Sequence, residues 1–162
     1  MNKNRTFLLA LAGIFSAVVF LATFIIRIPA PTGYINLGDG VILLTAVWLG
    51  GYAVIPAAAG SALADLLSFP LYAPGTLVIK SLMALTAAGL LRVTKKKRLG
   101  RLASFIAAEA VMIAGYFIYD TLVYGFGGAV ANVAGNGVQA VAGIVLGWAL
   151  SMIPRPAMRG RG

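Results

Sequence analysis

The sequence predicts an all-α integral membrane protein, one compact six-transmembrane-helix bundle spanning residues 1–162 with both termini cytoplasmic. Three observations carry that expectation. Only 10% of the 162 residues are charged, against about 25% in soluble domains. Charge-free runs are long, 21 residues over Thr6–Ile26 and 25 over Gly40–Ala64, where about 20 apolar residues cross a hydrocarbon core. Basic residues gather in three places: Lys3 with Arg5, "RVTKKKRLGR" at 92–101, and Arg155 with Arg159 and Arg161. The positive-inside tendency sends all three to the cytoplasm, so an even number of crossings separates each from the next. The net charge of +9 is then a topology signal rather than a nucleic-acid footprint.

The elements follow in order. Residues 6–28 form the first helix, too long for a signal-peptide core. Two crossings, 37–50 and 52–69, keep the parity before the fourth helix at 73–91, and "WLGGY" (Trp48–Tyr52) supplies the tight inner turn between them. A helix of 14 residues is only about 21 Å long, so a five-helix count stays open over 37–69. After the basic cytoplasmic loop 92–101 come helices at 102–123 and 130–153, joined by the glycine-rich "YGFGG". This topology puts three irregular segments on the outer face: "APTGYINLGD" from residue 30, "DLLSFPLYAPG" from residue 65 and "YGFGGAVANVAGN" from residue 124. Together they form a mouth on that face.

Cysteine and histidine are both absent, which removes thiol nucleophiles, imidazole acid–base work and the usual transition-metal ligands. The chemistry must lie elsewhere. All four acidic residues, Asp39, Asp65, Glu109 and Asp120, fall in or beside apolar segments, and Lys80 interrupts the fourth helix. Ionisable groups at such depth are costly and face the bundle interior or a wet cavity. They either pair internally, Lys80 with Glu109 or Asp65, or serve a site. Asp39 and Asp120 also read as interface residues near the outer surface, and Asp39 as a helix N-cap. Asn132, Asn136 and Gln139 form an amide group; the last two, three apart, share a helix face. They either read a heterocycle or bond between helices. Tyr34, Tyr72 and Tyr116 lie in the outer half, as belt residues or as stacking partners in a mostly apolar pocket. Ala12 with Ser16, and Gly13 with Ala17, are small-xxx-small pairs on the first helix; "GSALA" (Gly60–Ala64) and "GIVLG" (Gly143–Gly147) repeat the pattern, which lets helices approach closely in lipid.

The segments "IRIPAPTGYINLGDGVILL", "GSALADLLSFPLYAPGTLVIKSLMAL", "EAVMIAGYFIYDTLVYG" and "GNGVQAVAGIVLG" together resemble the substrate-binding S component of energy-coupling factor (ECF) vitamin transporters, in its riboflavin-type, pyridoxine and hydroxymethylpyrimidine subfamily. The resemblance covers about residues 6–152. It implies a multi-pass protein of a prokaryotic plasma membrane that captures a vitamin or precursor from outside and works with a transmembrane T subunit and two ATPase subunits, toppling in the bilayer to carry its ligand inward. It implies neither enzyme activity nor a cofactor. With the residues singled out above, and with Asn36 and Asp39 of "YINLGD" binding or shaping a lid as the resemblance implies, the candidate ligand-binding set is Tyr34, Asn36, Asp39, Asp65, Tyr72, Lys80, Glu109, Tyr116, Asn136 and Gln139. The family's Ala-xxx-Ala docking motif corresponds to Ala12/Ser16 and Gly13/Ala17. The sequence has no GxxxxGK[ST] phosphate loop, so ATP chemistry belongs to partners. The rival readings are a self-sufficient transporter or channel, whose mark would be internal repeats with discontinuous helices, and a membrane enzyme using Asp65, Glu109 and Lys80 as acid and base.

Overall fold

The computed structural model describes residues 3–30, 34–95 and 97–155. Lys96, Arg159 and Arg161 of the basic clusters and residues 31–33 of the first outer segment lie outside them. The described chain forms α1 (Lys3–Phe24), β1 (Arg27–Pro29), β2 (Tyr34–Asn36), α2 (Gly38–Leu49), α3 (Val54–Ser68), α4 (Ala73–Val93) and α5 (Arg98–Leu150). Among the described residues four stretches are long and apolar enough to cross a membrane: 5–24, 38–68, 73–93 and 98–150.

Two of these stretches double back. Asp39 in the first turn of α2 bonds Lys80 on α4, while Asp65 near the end of α3 bonds Thr76, one turn earlier on α4. A straight helix would hold residues 39 and 65 about 39 Å apart. The reversal falls at a 3-10 turn, Gly50–Ala53, where Gly50 has φ 58° and ψ −131°, a conformation open to glycine and strained for other residues. Likewise Arg101 Nη1 donates to the Ser151 carbonyl at 3.2 Å across 50 residues, so the two arms of α5 lie antiparallel. The hinge is Gly125, at φ 76° and ψ 173°.

Among the described residues the six helices expected as separate elements appear as five, because α5 is two antiparallel arms that meet at Gly125 with no loop between them, and residues 124–136, expected as an irregular segment, are helical except at Gly125. The expected outer segment at 65–75 shrinks to the short break between Ser68 and Ala73. α1 ends at Phe24 rather than 28, because the chain beyond it turns into an antiparallel ribbon pairing Arg27 with Asn36 and Pro29 with Tyr34.

The core holds Val19, Ile42, Leu43, Met83, Phe105 and Met112, all fully buried. Ile14, Leu67, Leu122 and Val141 point outward, an apolar exterior suited to lipid. Helices meet at small residues: a Cβ on Gly60 would lie 2.6 Å from the Ser16 carbonyl oxygen, and one on Gly147 2.8 Å from Leu43 Cβ. The "GSALA" and "GIVLG" patterns therefore mark close crossings, of α1 with α3 and of α2 with the second arm of α5.

Candidate functional site

Polar side chains converge at the end of the bundle where the ribbon lies. The rim is built on the ribbon. Arg27 of β1 rests its guanidinium 4.5 Å from the Phe24 ring centroid and donates to Ser68 Oγ at 2.5 Å. Tyr34 of β2 packs on Phe69, centroids 5.6 Å apart, and its hydroxyl donates to Asp65. Burial, with the Asp65 carboxylate beside it, pushes the Tyr34 phenol up from its ordinary value, so it stays a protonated donor.

The wall comes from α3, α4 and α5. Asp65 accepts a second hydroxyl from Thr76, which lies 2.8 Å from the Tyr116 hydroxyl. Tyr72 donates to Asp120 at 2.6 Å, and Asn132 Nδ2 donates to the other Asp120 oxygen at 2.9 Å. Asp120 therefore ties the start of α4 to both arms of α5. Expected near the outer surface, it is wholly buried.

The floor is the Lys80–Asp39 ion pair, both partners buried. Asp39 Oδ2 also accepts from Gln139 Nε2 at 2.7 Å, and Gln139 Oε1 accepts from the backbone and side-chain nitrogens of Asn36 at 3.0 and 3.2 Å. A polar chain thus runs from the ribbon through Gln139 and Asp39 to Lys80. The expected partners of Lys80, Glu109 and Asp65, are corrected to Asp39, because α2 packs between α4 and α5 and brings its first turn against Lys80. Asp39 is neither an interface residue nor an N-cap. It lies inside α2 and makes no capping bond, and the turn before the helix is closed instead by Asn36 Oδ1, which accepts from Gly38 N–H at 2.9 Å.

These groups enclose a cavity of about 30 Å³, room for about two waters. Of the expected binding set, Tyr34, Asn36, Asp65, Tyr72, Lys80, Tyr116, Asn136 and Gln139 line it. Asp39 stands behind Lys80. Glu109 does not reach the cavity: its carboxylate is 1% exposed and packs in the space left by Gly143, where a Cβ would meet Oε1 at 2.4 Å. Thr23, Ser61, Phe69 and Thr76 line the cavity as well and were not expected; Asn132, weighed only with the amide group, joins them. Thr23 Oγ1, Ser61 Oγ and Asn132 Oδ1 are buried there without a hydrogen-bond partner. Small hydroxyls are routine in membrane helices, so only the fold singles these out.

On α1 the two small-residue pairs part company. Ala12 is fully buried, Ser16 donates to the Ala12 carbonyl, and the Ser16 carbonyl faces Gly60 of α3. Ala12 and Ser16 are thus committed to internal packing. Gly13 and Ala17 are exposed, and nothing lies within 4 Å of a Cβ built on Gly13.

A protein of Pyrococcus woesei, described as an uncharacterized protein in a gap 3′ region, is 39% identical over 142 residues, 83% of this chain and 93% of that protein. The family described as ECF-type riboflavin transporter, S component, matches residues 3–154. With nearly the whole chain covered, the bundle and its polar cavity belong to a transport subunit rather than an enzyme: the chain is a member of the ECF-type riboflavin transporter S-component family.

Proposed function

We propose that this chain is the membrane-embedded, high-affinity binding subunit of an ECF importer in a prokaryotic plasma membrane, taking a water-soluble vitamin or precursor of the riboflavin, pyridoxine or hydroxymethylpyrimidine class from outside. In this reading α1, α2, α3, α4 and the two arms of α5 make six crossings with both termini in the cytoplasm, and the ribbon closes the external mouth. Lys80, Asp65, Asn36, Asn136 and Gln139 present polar groups to the ligand, with Tyr34, Tyr72 and Tyr116 as its aromatic walls. Asp39 acts through Lys80. A T subunit docks on α1 at Gly13 and Ala17, and two ATPase subunits drive the cycle.

The observation that supports it most is the trio of orphaned atoms, Thr23 Oγ1, Ser61 Oγ and Asn132 Oδ1, around one cavity. A buried polar group without a partner costs about 1–3 kcal/mol, and a bound heterocycle relieves that cost. The test is a pair of opposite signs. Ser61→Ala removes an unsatisfied hydroxyl, so the empty protein keeps or gains stability in thermal unfolding, while ligand affinity falls about 5- to 150-fold. Unchanged affinity in both Ser61→Ala and Thr23→Ala would sink the reading. The ligand itself is identified by mass spectrometry and ultraviolet–visible absorption of small molecules released from the purified chain.

Docking has its own test. Gly13→Leu places a bulky side chain on an open face, so ligand affinity is expected to stay at its original value while co-purification with the T subunit is lost. Intact complexes with Gly13→Leu and Ala17→Leu would move the docking face off α1.

A further inference from the structure

At the opposite end of the bundle lies a second polar cluster, of one sign only. α4 runs from Ala73 beside the cavity to Val93, about 30 Å away. There Arg98 and Arg101, three apart on one helix face, both approach a single indole, their guanidinium carbons 5.8 and 6.0 Å from the Trp148 ring centroid. Arg101 is fixed by the Ser151 carbonyl and hydroxyl at 3.2 and 3.1 Å, while its Nε is buried without a partner. Like charges at this spacing repel. The ion pair among the described residues is Lys80–Asp39, and all four carboxylates belong to other parts of the bundle, so none compensates this cluster.

Two adjoining clefts share Arg98. One, of about 270 Å³, lies between Arg98, Arg101, Trp148 and Met152; the other, of about 650 Å³, between the end of α4 and the start of α5, adds Lys95 and Lys97. Apolar side chains flank the charges: Val93 is 78% and Leu99 82% exposed. Guanidinium pairs bind phosphate oxygens in bidentate fashion, indole and arginine sit together at a headgroup boundary, and the flanking Val93, Leu99 and Met152 suit acyl chains. We propose that Arg98, Arg101 and Trp148 form a binding site for the phosphodiester headgroup of an anionic phospholipid. An acidic protein surface would match the charges but not the exposed aliphatic groups beside them.

The protein has two tryptophans, so Trp48→Phe leaves Trp148 as the reporter. The full-length Trp48→Phe chain is reconstituted in phosphatidylcholine vesicles containing about 10 mol % of either acyl-brominated phosphatidylglycerol or acyl-brominated phosphatidylcholine. Each basic group favours an anionic lipid by about fivefold, so brominated phosphatidylglycerol is expected to quench Trp148 several-fold more strongly. Arg98→Gln, at an exposed position and therefore safe for folding, should cut that preference about fivefold. Equal quenching by the two lipids overturns the proposal and leaves the patch to an acidic protein partner. A preference that survives Arg98→Gln and Arg101→Gln also overturns it. So does a preference erased by inorganic phosphate replacing chloride at equal ionic strength, which would make this a free-phosphate site.

Discussion

Lys80→Ala is expected to destabilise the bundle by about 3–5 kcal/mol, the usual result of removing one partner from a buried ion pair. The loss is large because Asp39 has nowhere to turn. Without Lys80 its Oδ1 loses its cation, Oδ2 is held only by the neutral Gln139 amide, and Glu109 nearby brings a second carboxylate rather than a cation. In thermal unfolding of the purified chain the midpoint should fall by about 10 °C. The expected rescue is Lys80→Met with Asp39→Asn, since replacing both charges is close to neutral where removing one is not, and asparagine still offers Gln139 an oxygen. A Lys80→Ala protein within about 1 kcal/mol of the original would mean that the pair is spread over water or other groups. The double variant should recover the fold without recovering ligand affinity, which separates the role of Lys80 in the fold from its proposed role in the cavity.

Gly60→Val comes next in size. Its Cβ would sit 2.6 Å from the Ser16 carbonyl oxygen and 2.8 Å from Val19 Cβ, and a backbone oxygen cannot move aside as a flexible side chain can. Overpacking of this kind costs about 1–3 kcal/mol or more, here by prising α1 from α3. Hydrogen exchange should speed up along α1 while the arms of α5 keep their protection. Gly89→Ala is the matched control: nothing lies within 4 Å of a Cβ there, so the better helix former should add about 0.5–1 kcal/mol. If Gly60→Val leaves α1 as protected as before, the crossing is looser than its geometry implies.

Much of the architecture was legible because apolar length is a strong signal. The expected 37–50, 52–69 and 73–91 fall within a few residues of α2, α3 and α4, and the "WLGGY" turn lies where Gly50 reverses the chain. The arms of α5 meet at Gly125, inside "YGFGG", but the form of the junction was not legible: three glycines in five residues suggest a loop, yet only Gly125 leaves helical geometry, because backbone groups in an apolar setting keep their internal bonds. The ribbon was invisible for another reason: strands of three residues are too short to show a period of two.

The site divides in the same manner. That Asp65, Lys80, Asn136 and Gln139 had business in the interior followed from residue type alone, since polar groups at depth need a partner. Which partner each one has did not. Lys80 bonds Asp39 because α2 is the neighbour of α4 and α5, a fact of packing order, and Glu109 misses the cavity because it faces Gly143. Ala12/Ser16 and Gly13/Ala17 are indistinguishable as patterns, and only the position of α3 sends one pair inward.

The link from Asn36 to Gln139 has a consequence for timing. Under the proposed function, a cavity with room for about two waters takes its ligand when the ribbon swings aside, which breaks both Asn36 bonds to Gln139 together with the Tyr34–Asp65 and Arg27–Ser68 bonds. At about 1 kcal/mol each, these four bonds leave the open form at about 0.1% of the population, the low end of the usual range for a minor state. Under that proposal a ligand that enters is held by the same latch, so its residence time is set by how often the ribbon lets go as well as by its own contacts. Loosening the latch would speed arrival and departure together, changing both rates far more than their ratio.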